Sequence, residues 1–261
     1  MTAPESIFVT GAARGIGLAV VRRFAAAGYT VGAVDVDETE LDNLKTEAAQ
    51  HGRSVWTSAM DVTDFDAWQR TLSEFVSTTG GRLDILVNNA GVLAAGNFVD
   101  IPPQRHKQIV DVNVTGVIFG CHAAFEYLRD TAGARVLNLC SASAIYGQAE
   151  LASYSATKFA VRGLTEGLDL EWRPHDITVS ALWPLFVDTA MLTGVHTGAT
   201  ESLGIHLTPD DIADAAWRAL HRKRGMPKVH YPVGTQTKLA YYFLQVSPTW
   251  MSRLVNKRLT H

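Results

Sequence analysis

Two cysteines in 261 residues, Cys121 and Cys140, with no Cys-x-x-Cys pair, argue against a disulfide-stapled scaffold and a cysteine zinc cluster. Nine histidines are scattered without a His-Glu-x-x-His motif, so no metal site is expected. Neither sign of charge dominates. Against 26 Asp and Glu stand 23 Lys and Arg, a formal net charge of -3 that offers nucleic acid no basic footprint. No run of 18 apolar residues suggests a membrane span, and no basic-then-apolar signal segment opens the chain, so a reducing cytoplasm is the expected compartment. Internal repeats, low-complexity tracts and linkers rich in Pro, Gly or Ser are also missing, which leaves one continuous domain over 1–261 as the simplest reading.

What is present is an ordinary globular balance, 47% apolar and 19% charged, in a chain long enough to bury a substantial core. Short β-branched runs alternate with longer amphipathic stretches. SIFVTGA reads as a strand and IGLAVVRRFAAAG as a helix ended by Gly28. The same alternation continues through YTVGAVDVD, SVWTSAMDV, LDILVNNAG, ARVLNLCSAS and ITVSALWP as strands, each followed by a helical pattern. PPQRHKQIVDVNVTGVIFGCHAAFEYLRD reads as one long helix, SYSATKFAVRGLTEGLDLEWRP as a helix closed by Pro174, and TPDDIADAAWRALHRK as a helix capped by Thr208 with Asp211 three residues on. Such alternation implies a parallel sheet covered by helices on both faces, with ligands at the carboxyl ends of the strands.

The first strand ends in TGAARGIG, which places Gly11, Gly15 and Gly17 between strand and helix. A glycine turn there lets backbone N–H groups and a helix N-terminus approach a pyrophosphate; a tight turn with no ligand needs glycine too. Asp35 closes the second strand 18 residues beyond Gly17, where a carboxylate can accept from both ribose hydroxyls of NAD and repel a 2′-phosphate. It could instead cap the next helix, but Asp37 is better placed for that. Arg14 pulls toward NADP; Asp35 outweighs it, so NAD is the expected cofactor.

A last pattern sits in SYSATKFAV, where Tyr154 precedes Lys158 by one helical turn and both point from one face. Taken together, these segments resemble the short-chain dehydrogenase/reductase family, in its short single-domain branch, over roughly residues 5 to 190. The resemblance implies a Rossmann-type doubly wound α/β fold, with about seven parallel strands in the order 3-2-1-4-5-6-7 and helices on both faces. TGAARGIG resembles the family's cofactor loop, with Gly11, Arg14, Gly15, Ile16 and Gly17. Asp61 and Val62 resemble its adenine contacts, and NNAG, with Asn89, Ala90 and Gly91, the motif beside the cofactor. Asn113 falls where the family has an asparagine that holds a proton-relay water, and Ser141, Tyr154 and Lys158 match its catalytic set. Pro184, Val187 and Thr189 fit the cofactor contacts after the sixth strand. Leu185 stands where the family often has glycine, which adds a side chain near the nicotinamide pocket and leaves the path of that loop open.

The chemistry this implies is hydride transfer coupled to proton transfer. A free phenol titrates about three pH units above neutrality, roughly 4 kcal/mol too high for a general acid–base. A nearby ammonium and oxidised nicotinamide both favour the phenolate. Tyr154 is therefore expected as the acid–base, Lys158 as its electrostatic partner and ribose ligand, and Ser141 as a donor to the substrate oxygen. Ser143, Tyr146, Leu185 and Met191, with Ile145, suggest an apolar substrate pocket, although a loop role for Ser143 and simple packing for the others are equally compatible. Residues 186–207, with Gly194, Gly198 and Gly204, fit a substrate lid. Residues 236–261 form an apolar tail split by Pro248, with Trp250, Met251, Leu254 and Val255 on one face. It could pack on the pocket or a partner subunit, which is favoured, lie on a membrane surface, or belong to the core.

The expectation is an oxidoreductase for a hydrophobic secondary alcohol or ketone. The alternative is a non-catalytic NAD-binding or sensing protein on the same fold. By resemblance, a homodimer or homotetramer would pair through the helices near 103–130 and 152–173.

Overall fold

The structure is a computed structural model, and it describes residues 4–195, 197–222 and 228–245 together with Arg253 and Lys257. Seven strands form one parallel sheet: β1 Ser6–Thr10, β2 Thr30–Asp35, β3 Val55–Ala59, β4 Ile85–Asn88, β5 Arg135–Leu139, β6 Thr178–Trp183 and β7 His230–Pro232. Their order is β3-β2-β1-β4-β5-β6-β7. The order reverses between β1 and β4, so the connections leaving these two strands diverge and open a crevice at their carboxyl ends. Pairing is in step across that crevice, with Val9 opposite both Ala33 and Val87. β7 has three residues and no apolar alternation, so the strand patterns in the sequence end at β6.

Every residue of β1 is buried, because both faces of the strand are covered. Alternate side chains serve opposite cores. Ile7 and Val9 pack with Val20, Phe24 and Ala216, under α1 Gly15–Ala26, α2 Glu38–Gln50 and α8 Pro209–Leu220. Phe8 packs with Trp68, Leu72 and Phe75 of α3 Phe65–Thr78 on the other face. Two caps read from the sequence are formed: Asp37 accepts from Glu40 N, and Thr208 and Asp211 make a reciprocal capping box.

The expected single helix over 102–130 is interrupted. It consists of α4 Pro103–Val110, a wide π turn Asp111–Thr115, and α5 Gly116–Arg129. Asn113 lies in the turn, buried, and its side chain clamps a remote backbone: Oδ1 accepts from Val92 N at 2.8 Å and Nδ2 donates to Val92 O at 2.9 Å. The continuous stretch Pro103–Arg129 is long and apolar enough to cross a membrane by length and composition alone. Here Val117, Cys121, Ala124 and Leu128 are instead packed into the core shared with α3.

α6 Ala152–Trp172 runs into a 3₁₀ turn, Arg173–His175, that contains Pro174. The expected lid segment is closed at its base by Asp188 N donating to Leu207 O at 2.8 Å. It carries a 3₁₀ turn at Ala190–Leu192 and the short α7 Gly198–Leu203. Of the expected tail, α9 Thr235–Gln245 is formed; Pro248 and the face of Trp250, Met251, Leu254 and Val255 lie outside the described residues.

Candidate active site

The carboxyl ends of β1, β2, β4, β5 and β6 open on one cavity of about 710 Å³. At its β1 end the chain turns into α1 through Gly11 and Gly15, both at positive φ, 64° and 54°. A Cβ on Gly17 would stand 2.0 Å from the Gly11 carbonyl oxygen, so this glycine is required by close backbone packing. Gly17 itself is not in the cavity wall; it lets Gly11, Gly15 and Ile16 form it. No side chain caps α1 and no acidic residue occupies its first turn, so its N–H groups face the cavity unpaired by protein side chains. That is a donor set suited to a phosphate.

The second strand delivers Asp35 to the same wall. Its Oδ2 accepts from Ala13 N at 3.0 Å and its Oδ1 from Val36 N at 2.8 Å. Arg14, also in the wall, is ion-paired with Asp37. Asp61 accepts from the backbone and hydroxyl of Thr63 and lines the cavity beside Val62. Asn89, Ala90 and Gly91 line it beyond β4, with the Asn89 amide donating to Thr10 O and Gly11 O at 2.8 and 2.9 Å. Pro184, Val187 and Thr189 close the far side, and Leu185 turns into an apolar cluster with Leu93, Leu151, Phe186 and Leu192. Its side chain is accommodated by that cluster, which defines the path the sequence left open.

Tyr154 and Lys158 reach the cavity from the first turns of α6, and Ser141 and Ser143 from the end of β5. Lys158 is 6% exposed, and its Nζ donates to Leu139 O at 2.8 Å. The same Nζ is 5.4 Å from the centre of the Tyr154 ring. Ser141 Oγ accepts from Ser143 N at 3.2 Å and has the Pro184 carbonyl at 3.5 Å. The adjoining Cys140 is no nucleophile: burial pushes its thiol up to about 11 although Lys158 opposes the rise.

Three more of the expected residues do not line the cavity. Tyr146 and Ile145 are off the cavity wall, because the 3₁₀ turn at Ala142–Ala144 carries the chain past it; burial raises the Tyr146 phenol. Asn113 is behind the wall, its side chain committed to Val92 and Thr157. Met191 does line the cavity, and so do residues the sequence did not single out: Leu93, Arg105, Gln108 and Leu151. Arg105 donates to Leu93 O at 2.7 Å and to Gln108 Oε1 at 2.6 Å, a contact across 12 residues that no local pattern signals.

Residues 5–199 match the family described as short chain dehydrogenase. The chain belongs to the short-chain dehydrogenases. This short-chain dehydrogenase is 36% identical over 183 residues to the 3-alpha-(or 20-beta)-hydroxysteroid dehydrogenase of Mycobacterium tuberculosis, covering 70% of this chain and 69% of the relative. Its fold is similar to a 3-ketoacyl-(acyl-carrier-protein) reductase from Brucella melitensis complexed with NADH, at TM-score 0.80 and 29% identity, over 89% of this chain and 98% of that one. It is also similar to a gluconate 5-dehydrogenase from Burkholderia cenocepacia in complex with NADP and tartrate, at TM-score 0.74 and 26% identity, over 83% of this chain and 88% of that one. A short-chain dehydrogenase is an oxidoreductase of alcohols and ketones, and the glycine turn with its uncapped helix fits the pyrophosphate of a nicotinamide dinucleotide.

Proposed function

We propose that this chain interconverts a hydrophobic secondary alcohol and its ketone with NAD as the favoured cofactor. The observation that carries the reading is that Tyr154, Lys158 and Ser141 open into the same cavity as the glycine turn and Asp35. When bound, the nicotinamide supplies or accepts the hydride. The chain's own residues handle the proton and the oxygen. Tyr154 exchanges a proton with the substrate oxygen, and the Lys158 ammonium stabilises negative charge that builds on the phenol oxygen. Ser141 donates to the substrate oxygen and holds it beside Tyr154. Lys158 also donates to the nicotinamide ribose hydroxyls. The relay water linking Lys158 to solvent is assigned to Asn113, whose side chain is occupied by Val92 and so leaves its main chain to hold it.

Two features support NAD over NADP. Asp35 puts a carboxylate where a 2′-phosphate would lie, and the charge of Arg14 is countered by Asp37. Leu93, Leu151, Leu185, Phe186, Met191 and Leu192 support an apolar substrate, and 186–207 serves as its lid. Exposed Val110, Ile118, Phe159 and Leu170 on α4, α5 and α6 support pairing of two copies through these helices. The test is an NADH absorbance screen against aliphatic, aromatic and steroid alcohols and ketones. Tyr154→Phe should cut turnover by about 1,000-fold while NADH still binds. Binding without turnover of any substrate would favour the sensing alternative, and a higher kcat/KM with NADP would overturn the cofactor assignment.

A further inference from the structure

Behind the cavity wall, Ser141 begins a row of buried polar groups. Ser141, Ser143 and Gln148 are 7%, 3% and 2% exposed, and only the two serines touch the cavity. Gln148 is fixed by its backbone N–H, which donates to Ser155 Oγ at 3.1 Å, next to Tyr154 on α6. In the structure the row runs inward. The Ser141 hydroxyl donates to Ser143 Oγ at 3.2 Å, with the Pro184 carbonyl a longer alternative at 3.5 Å, and the Ser143 hydroxyl donates to Gln148 Oε1 at 3.0 Å. This direction turns the Ser141 proton away from the substrate. It also turns the buried Gln148 Nε2 away from the serines and toward the Tyr146 hydroxyl, with no partner at full hydrogen-bond geometry. The amide is near the Tyr146 hydroxyl, where it offsets part of the effect of burial on that phenol.

A carboxamide has an acceptor and a donor at nearly the same place, and a half-turn about its last bond exchanges them. We infer that Gln148 is a positioning residue that reverses the row by this half-turn and so aims the Ser141 proton at the substrate oxygen. After the half-turn Nε2 donates to Ser143 Oγ, and the Ser143 hydroxyl donates to Ser141 Oγ. Ser141 Oγ already accepts from Ser143 N, so both its lone pairs are filled and its proton is released from Ser143 to the substrate oxygen, in competition only with the long contact to the Pro184 carbonyl at 3.5 Å. Gln148 Oε1 now faces Tyr146 as an acceptor, and Nε2 has gained a well-formed partner in Ser143. No covalent bond changes; the two hydrogen bonds of the row reverse when a carbonyl oxygen enters and revert when it leaves. The inference rests on the proposed role of Ser141 as donor to that oxygen.

The test compares Gln148→Glu with Gln148→Leu in ketone reduction by the full chain. A carboxylate only accepts, so it holds Ser143, and through it Ser141, in the inward direction. Leucine accepts nothing, so the Ser143 proton turns to Ser141. Loss of one donor at a developing oxyanion is worth about 100-fold in kcat. The expected result is a loss of that size in Gln148→Glu and only about threefold in Gln148→Leu, with KM and NADH affinity little moved in both. In a Ser143→Ala background the further loss from Gln148→Glu should shrink to about threefold. A merely structural glutamine would give the opposite ranking, since glutamate is the closer isostere. Losses as large in Gln148→Leu, or a Gln148→Glu effect undiminished by Ser143→Ala, would overturn the inference. Should the buried carboxylate prevent folding, Tyr146→Phe replaces it. Removing the donor to Oε1 should lower kcat several-fold in the parent and not in Gln148→Leu; no loss, or the same loss in both, overturns the inference. Wild-type turnover with either failed pattern sinks the relay alone, whereas absence of any wild-type turnover sinks the functional reading and the relay with it.

Discussion

Replacing Lys158 with methionine keeps the length of the side chain and removes its charge. The ammonium lies 5.4 Å from the centre of the Tyr154 ring, over which a phenolate spreads part of its charge. At an effective dielectric constant of about 20, that separation corresponds to about 3 kcal/mol of attraction for charge developing in the transition state. The expected fall in kcat is therefore about 150-fold. A second effect must be separated from it. Nζ donates to the buried Leu139 carbonyl at 2.8 Å, and leaving that acceptor unpaired costs about 1 to 3 kcal/mol of stability. Thermal melting measures the second effect, and turnover well below the melting range measures the first. NADH titration adds a third reading, because loss of the proposed ribose contact should weaken cofactor binding. If kcat of Lys158→Met stays within threefold of the parent at saturating cofactor, the electrostatic reasoning is wrong.

Other expectations concern the frame of the site. Gly17→Ala places a methyl 2.0 Å from the Gly11 carbonyl oxygen, so it should lower the melting temperature and abolish NADH binding while far-ultraviolet dichroism still reports the α/β fold. A variant that binds NADH as the parent does would show that the turn can move aside. His230 is held below its ordinary value by burial, although its Glu166 partner at 2.7 Å pulls the other way. Below about pH 6.5 the unfolded chain then binds a proton that the folded chain refuses. Stability is full above that pH and declines as pH falls through it toward the lower folded value. His230→Gln should flatten this part of the stability–pH curve measured by urea unfolding; an unchanged slope would count against it.

The features legible in the sequence were those enforced within a few residues. The caps at Asp37 and Thr208, the glycine turn into α1 and the Tyr154–Lys158 spacing all depend on neighbours one helical turn away or less. The π turn at Asp111–Thr115 was not legible, because Asn113 is held there by Val92, 21 residues earlier in the chain. Tyr146 was expected in an apolar pocket with Leu185 and Met191, yet the turn after Ser141 carries it off the wall. Leu185 differed from the family's pattern, and only its packing with Leu151 and Phe186 shows how the loop takes a side chain there.

By itself, then, the amino-acid order determined a parallel sheet covered by helices on both faces, the glycine turn after its first strand and the Tyr154–Lys158 pairing, because alternation, capping and helical spacing are local properties. Tertiary structure alone decided that Asp35, Ser141, Tyr154 and Leu185 share one cavity, and that Gln148 stands buried behind Ser143 and Ser141. Those facts depend on strands distant in sequence ending side by side, and burial acts on whatever that meeting encloses.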